Sequence, residues 1–127
     1  MENYAQITWF YYQDLQQAAH FYEDILKFER IEDQGMARIY RIGKASFFGI
    51  VDSTGHCKPQ PQSAVLLTLV VDDVAQWHTD LLNQGVNVSD VKAGNRVKEH
   101  FFFKDPGGYE IEIQTFRDQN VQKMFEG

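Results

Sequence analysis

The sequence predicts an α+β fold made of two βαβββ modules. Three observations carry this. A β-rich run recurs in each half of the chain, each run leads into a segment with helical spacing, and each such segment is followed by three short strand-like stretches separated by turn residues.

The opening run of the first half is Ile7-Thr8-Trp9-Phe10-Tyr11-Tyr12, and that of the second is Leu66-Leu67-Thr68-Leu69-Val70-Val71. Both are rich in β-branched and aromatic residues, which suit a pleated, half-buried surface. Asp14 then serves as N-cap for a helix on which Leu15, Ala18, Tyr22 and Ile25 recur at helical spacing. Asp73 does the same for Val74, Trp77 and Leu81, and Gly85 ends that helix. Strands are expected over residues 28–33, 36–42 and 45–51, divided by Gln34-Gly35 and Gly43-Lys44. In the second half they are expected over 86–91, 97–103 and 109–116, the last pair joined by the strong turn Asp105-Pro106-Gly107-Gly108. The whole chain reads as one domain, residues 1–127, with modules at about 4–53 and 64–116. The Pro- and Gln-bearing stretch 58–63 links them, and 117–125 forms a short terminal helix or tail.

At 127 residues the chain matches the commonest domain size, and 43% hydrophobic with 24% charged residues is an ordinary globular composition. Twelve Lys and Arg against 18 Asp and Glu give a formal net charge of -6, which repels a phosphate backbone, and no basic cluster offsets it. Nucleic acid is therefore an unsuitable partner. No apolar stretch approaches the ~20 residues of a membrane helix, and the start lacks the basic and apolar regions of a signal peptide, so a cytoplasmic location is expected. Cys57, the single cysteine, lies beside His56 in a polar stretch and reads as an incidental exposed thiol.

Two motifs, placed in order around the two modules, make the chain similar to the vicinal oxygen chelate superfamily of glyoxalases, bleomycin-resistance proteins and dioxygenases. The first is Asp14-Leu15 with Phe21-Tyr22 and Ile25-Leu26, in which Lys27 replaces the usual glycine before Phe28. The second is Phe103-Lys104-Asp105-Pro106-Gly107-Gly108-Tyr109-Glu110-Ile111-Glu112. The resemblance implies a cupped mixed sheet whose concave face holds a divalent metal and a small substrate, and it implies a homodimer.

A metal site needs imidazole or carboxylate groups projecting inward from strands. The resemblance places the family's ligand positions at Ile7, near Phe48, at Leu66 (or Ala64 if the strand is bulged) and at Glu112. Only Glu112 is of a ligand type, so no metal and no other cofactor is expected. What the resemblance then implies is metal-independent sequestration of a small, partly aromatic molecule, as in the bleomycin-resistance proteins. The rival expectation is a lyase or isomerase that uses His100 and Glu112 for proton transfer, with or without a metal.

Strand alternation sets Ile7, Trp9 and Tyr11 on one face, from which Trp9 and Tyr11 can stack on a flat ligand. His100 and Phe102 alternate with Phe101 and Phe103, and the mapping turns His100 inward on the strand beside Glu112. The expected lining is Trp9, Tyr11, Phe48, Phe102, His100 and Glu112, with His100 and Glu112 as the candidate catalytic pair. An inward His–Glu pair equally satisfies two buried polar groups, and the aromatic residues equally fill a core. Glu110 and Gln114 share the strand face of Glu112. His20 and His78 are expected to face solvent, and Lys92, Arg96 and Lys98 surround a Gly94-centred loop able to meet an anionic group.

Overall fold

Both main helices start on an aspartate. The Asp14 carboxylate accepts the Gln17 N–H at 3.0 Å, and that of Asp73 accepts the Gln76 N–H at 3.0 Å. Each cap satisfies one of the four N–H groups that the first helical turn leaves without a partner, and so fixes where the chain leaves its opening strand. The computed structural model describes residues 1–60 and 65–126. The chain divides into two compact units, Met1–Pro61 and Gln62–Gly127, each built around its own mixed sheet. Residues 61–63 of the expected linker, together with Ala64, lie outside the described residues.

In the first unit, β1 (Gln6–Tyr11) leads to α1 (Leu15–His20), which passes directly into a π-helical turn, Phe21–Ile25. Strands β2 (Glu29–Asp33), β3 (Ala37–Arg41) and β4 (Ser46–Val51) follow. The order is β1-β4-β3-β2, with β1 parallel to β4 and the other pairs antiparallel. Register sets Phe10, Tyr40, Phe48 and Ile50 on one face, and all four are buried. Tyr22 meets this face, its ring centroid 4.7 Å from that of Phe48, while Phe10 meets Phe48 edge-on at 5.0 Å. Tyr40 donates its hydroxyl to Glu23 at 2.7 Å. Burial first, and then the Glu23 carboxylate, raises the Tyr40 pKa far above the usual phenol value, so it stays neutral.

The expected helix through Ile25 changes form at Phe21. Leu26 N–H reaches the Phe21 carbonyl at 3.0 Å and Phe28 N–H the Tyr22 carbonyl at 2.9 Å. Lys27 stands at φ 62°, in the left-handed region. A side chain there crowds the backbone, which gives a physical reason for glycine as the usual residue at this place in the motif.

In the second unit, β5 (Leu66–Val70) leads to α2 (Val74–Asn83), then to β6 (Val97–Lys104), β7 (Glu110–Phe116) and α3 (Gln119–Lys123). The order is β5-β7-β6, with β5 parallel and β6 antiparallel to β7. Phe101, Phe103, Ile111 and Ile113 are buried on one face, with Val74 and Leu81 of α2 also in the core. Asp105 closes the β6–β7 turn, its carboxylate accepting the N–H groups of Gly107 and Tyr109, each at 2.9 Å. Gln122 of α3 clasps the strand ends: its side-chain oxygen accepts the Phe116 N–H at 2.9 Å and its amide donates to the Val71 carbonyl at 3.2 Å.

The strand expected over residues 86–91 does not form. Residues 86–92 bond to β6 through Ser89 and Lys92. Ser89 N–H donates to the Phe102 carbonyl at 2.9 Å, and Lys92 and His100 exchange backbone bonds at 3.0 and 2.9 Å. Three steps separate Ser89 from Lys92 but two separate His100 from Phe102, so one residue is in excess and the ladder cannot stay in register. The Ser89 hydroxyl then takes the Phe102 N–H at 2.8 Å, a bond that a backbone carbonyl would make in a regular strand. The second module is therefore βαββ with an irregular edge.

Candidate functional site

Each sheet has a second face, turned away from its helix, and the chemistry-bearing residues stand there. In the first unit that face carries Ile7, Trp9 and Tyr11 of β1 with Phe47, Gly49 and Val51 of β4 and Ile39 of β3. Trp9 is directly paired with Gly49, and a Cβ at Gly49 would fall within the indole ring, so the ring lies across the strand on the space the glycine leaves. The Tyr11 ring lies in the same way against Gly55. Both aromatic residues are half-buried.

Phe48 does not join them. It pairs with Thr8 and Tyr40 rather than with Trp9, points to the helix side, and is fully buried among Phe10, Tyr22 and Phe28. The expectation that it lines a cavity with Trp9 and Tyr11 is therefore corrected. The residue of β4 beside Trp9 is Gly49, which corresponds to Glu112 in the second unit, since Glu112 is paired with Thr68 just as Gly49 is with Trp9.

In the second unit the corresponding face carries Leu66, Thr68 and Val70, Glu110, Glu112 and Gln114, and His100, Phe102 and Lys104. The His100 Nδ1 lies 2.7 Å from Glu112 Oε2, and the Thr68 hydroxyl donates to Glu112 Oε1 at 2.9 Å. An ionised carboxylate only accepts, so a charged Glu112 calls for the proton on His100 Nδ1 and leaves Nε2 as the ring nitrogen without this partner. Glu112 is buried and His100 partly so. The His100 and Phe102 rings adjoin at 5.1 Å. Beside them, Val88, Ser89, Asp90, Lys92, His100 and Phe102 line an open depression of about 480 Å³. A second depression shares Val88, Ser89 and Phe102 and extends toward Lys104 and Glu110.

His78 departs from the expectation of a solvent-facing role. Its ring packs edge-on against Phe101 at 4.9 Å, and its Nε2 lies 2.9 Å from the Ser89 carbonyl. It therefore tethers the rim of the depression to α2. Its place was readable: His78 is four residues after Val74 and three before Leu81, on the apolar stripe of the helix. His20, by contrast, forms an exposed pair with Asp24 at 2.7 Å. The Gly94 loop is pinned by Arg117, whose guanidinium donates to the Gly94 carbonyl at 3.0 Å. Cys57 is exposed.

The divalent metal implied by the sequence resemblance does not fit these donors. No group of three or more His, Cys, Asp or Glu side chains suited to a metal occurs among the described residues. Glu112 spends one oxygen on His100 and the other on Thr68. Ile7 and Leu66, at two other ligand positions, offer no lone pair.

Residues 4–113 match the family described as the Glyoxalase/Bleomycin resistance protein/Dioxygenase superfamily. No curated protein matches the chain. Among solved structures, a glyoxalase/bleomycin resistance protein/dioxygenase from Nocardioides is similar with a TM-score of 0.77 at 11% identity, covering 94% of this chain and 86% of that one. TnmS3, an antibiotic binding protein from Streptomyces sp. CB03234, has a TM-score of 0.73 at 23% identity, with 91% and 97% covered. A lactoylglutathione lyase from Agrobacterium tumefaciens has a TM-score of 0.69 at 21% identity, with 86% and 90% covered. At these identities the likeness is one of fold.

Proposed function

Because this chain belongs to the glyoxalase/bleomycin resistance protein/dioxygenase superfamily, we propose that it binds a small, partly aromatic molecule without the help of a metal. The observation that carries this reading is the closed hydrogen-bond chain Thr68–Glu112–His100. It consumes the one carboxylate of ligand type at a family position and leaves an oriented imidazole next to the Phe102 ring. Ligand sites are commonly apolar with a few placed polar groups, and that description fits this face and the Trp9–Tyr11 face of the first unit alike. The likeness to an antibiotic binding protein supports binding as the activity. We take the protein to act as a homodimer, as the superfamily resemblance implies, and in the cytoplasm.

The test is a screen of aromatic and antibiotic-like compounds by tryptophan fluorescence, run beside elemental analysis of protein purified without tag or chelator. A metal-free protein whose emission responds to a ligand, with the response lost in Trp9→Ala, is the expected result. Stoichiometric transition metal, or a Trp9→Ala variant with every ligand interaction unchanged, sinks the reading.

The second reading, a lyase or isomerase, is favoured by the 2.7 Å contact of His100 with Glu112, since a carboxylate-oriented imidazole is suited to general-base work. A His100→Ala variant that loses turnover while still binding substrate would select it.

A further inference from the structure

We infer that the depression beside β6 takes a flat molecule carrying an acidic hydroxyl group, a phenol, and holds it as its anion between His100 and Lys92. This rests on the binding reading above and names the ligand class for one face of it.

Four observations converge in the second unit. The Phe102 ring offers an apolar wall to a flat body, adjoining the imidazole of His100 at 5.1 Å. Glu112 engages Nδ1, so Nε2 is the ring nitrogen left for a ligand, and in the tautomer whose proton sits on Nδ1 it is an acceptor that answers to an O–H rather than to a carbonyl. Lys92, which also lines the depression, is exposed and belongs to none of the ion pairs among the described residues. The Lys92 and His100 backbones are tied together by two hydrogen bonds, which fixes the base of the lysine next to the ring. The step that follows is a proton transfer. The ligand O–H bond breaks, a bond from Nε2 to that proton forms, Glu112 stabilises the resulting imidazolium, and the phenolate oxygen is left facing two cations. Asp90 lines the same depression with the opposite charge and weakens the hold on an anion.

The experiment compares para-nitrophenol with para-nitroanisole, its methyl ether, on the full chain by calorimetry and visible absorption. The two share a flat body, but only the first has a proton to give. The expected result is that the phenol binds at least about tenfold more tightly, the worth of a charge-assisted hydrogen bond, and shows the anion spectrum at a pH where the free probe is largely undissociated. Lys92→Met should weaken the phenol about threefold and leave the ether unchanged, while Asp90→Asn should shift phenol binding the other way. Both positions are exposed, so these variants should keep the fold. Equal affinity for the two probes without an anion spectrum overturns the inference and leaves flat-molecule binding standing. Failure of both probes to bind overturns the inference and counts against the broader reading as well. A phenol affinity indifferent to both charge changes overturns it by removing Lys92 from the site.

Discussion

The indole of Trp9 occupies the space that a side chain at Gly49 would need. Across a parallel β1–β4 pair these two residues are directly opposed, so the largest side chain of the strand is accommodated by the smallest residue opposite it. Gly49→Ala is expected to lift the ring and cost about 1–3 kcal/mol, the usual range for overpacking. Denaturant unfolding gives the stability, and a shifted tryptophan emission reports the displaced ring. Unchanged stability and emission would mean that Trp9 rests elsewhere.

Lys27 holds a left-handed backbone at φ 62° where the motif usually has glycine. Lys27→Gly should therefore stabilise the protein by about 1 kcal/mol, the steric relief being partly offset by the greater freedom of glycine in the unfolded chain. Lys27→Ala, which keeps the Cβ, should not. The pair of thermal unfolding curves separates backbone strain from loss of the lysine charge.

The Asp105 carboxylate accepts two N–H groups inside the β6–β7 turn and is itself buried. Replacing it with alanine leaves those donors short of an acceptor, at a cost of about 3 kcal/mol. Hydrogen exchange at Gly107 and Tyr109 should accelerate in Asp105→Ala more than exchange in β1 or β4. Uniform acceleration through both sheets would show that the turn is not the seat of the effect.

Two exposed aspartates impose a pH dependence. The Gly35 N–H, followed by Arg38 and Arg30, lowers the pKa of Asp33, and the Thr54 hydroxyl and N–H lower that of Asp52. A carboxyl whose folded pKa is depressed binds fewer protons in the native than in the unfolded state. Its stabilisation is present above the unfolded value, near 3.9, and is lost as pH falls through the folded one. Asp33→Asn and Asp52→Asn should each flatten the fall in stability through that acid range, as measured by urea midpoints at a series of pH values. An unaltered slope in both variants would contradict the hydrogen bonds that set the shifts.

How far the site was readable depended on whether alternation left a mark. His100 and Phe102 differ in kind from their neighbours, and the Asp105 turn fixes the hairpin register, so the sequence placed His100 and Glu112 on one face of adjacent strands. In the first unit the critical run was Phe47-Phe48-Gly49, where two consecutive phenylalanines hide the period of two. A slip of one residue reverses every side chain of a strand, so the family's ligand position, set near Phe48 by the resemblance, falls one residue short of Gly49 and on the opposite face. The helix after Asp14 was legible from its cap and stripe. The π-helical turn within it was not, because Leu15, Ala18, Tyr22 and Ile25 satisfy a regular helix equally well, and the hydrogen bond from Phe28 that follows the turn depends on Lys27 adopting a conformation its residue type disfavours. The edge at 86–91 had strand-like alternation, but the surplus residue between Ser89 and Lys92 becomes visible only against the spacing of β6.

That surplus residue bears on how the protein behaves at high concentration. A sheet that ends in a straight strand offers a row of open donors and acceptors onto which another molecule can add, and repeated addition produces fibres. Beside β6 the outermost chain is out of step, and one of its bonds is made by the Ser89 hydroxyl in place of a peptide group. An incoming strand finds no repeating ladder to copy on that side. The irregularity that borders the depression thus also guards the second sheet against polymerisation along this edge.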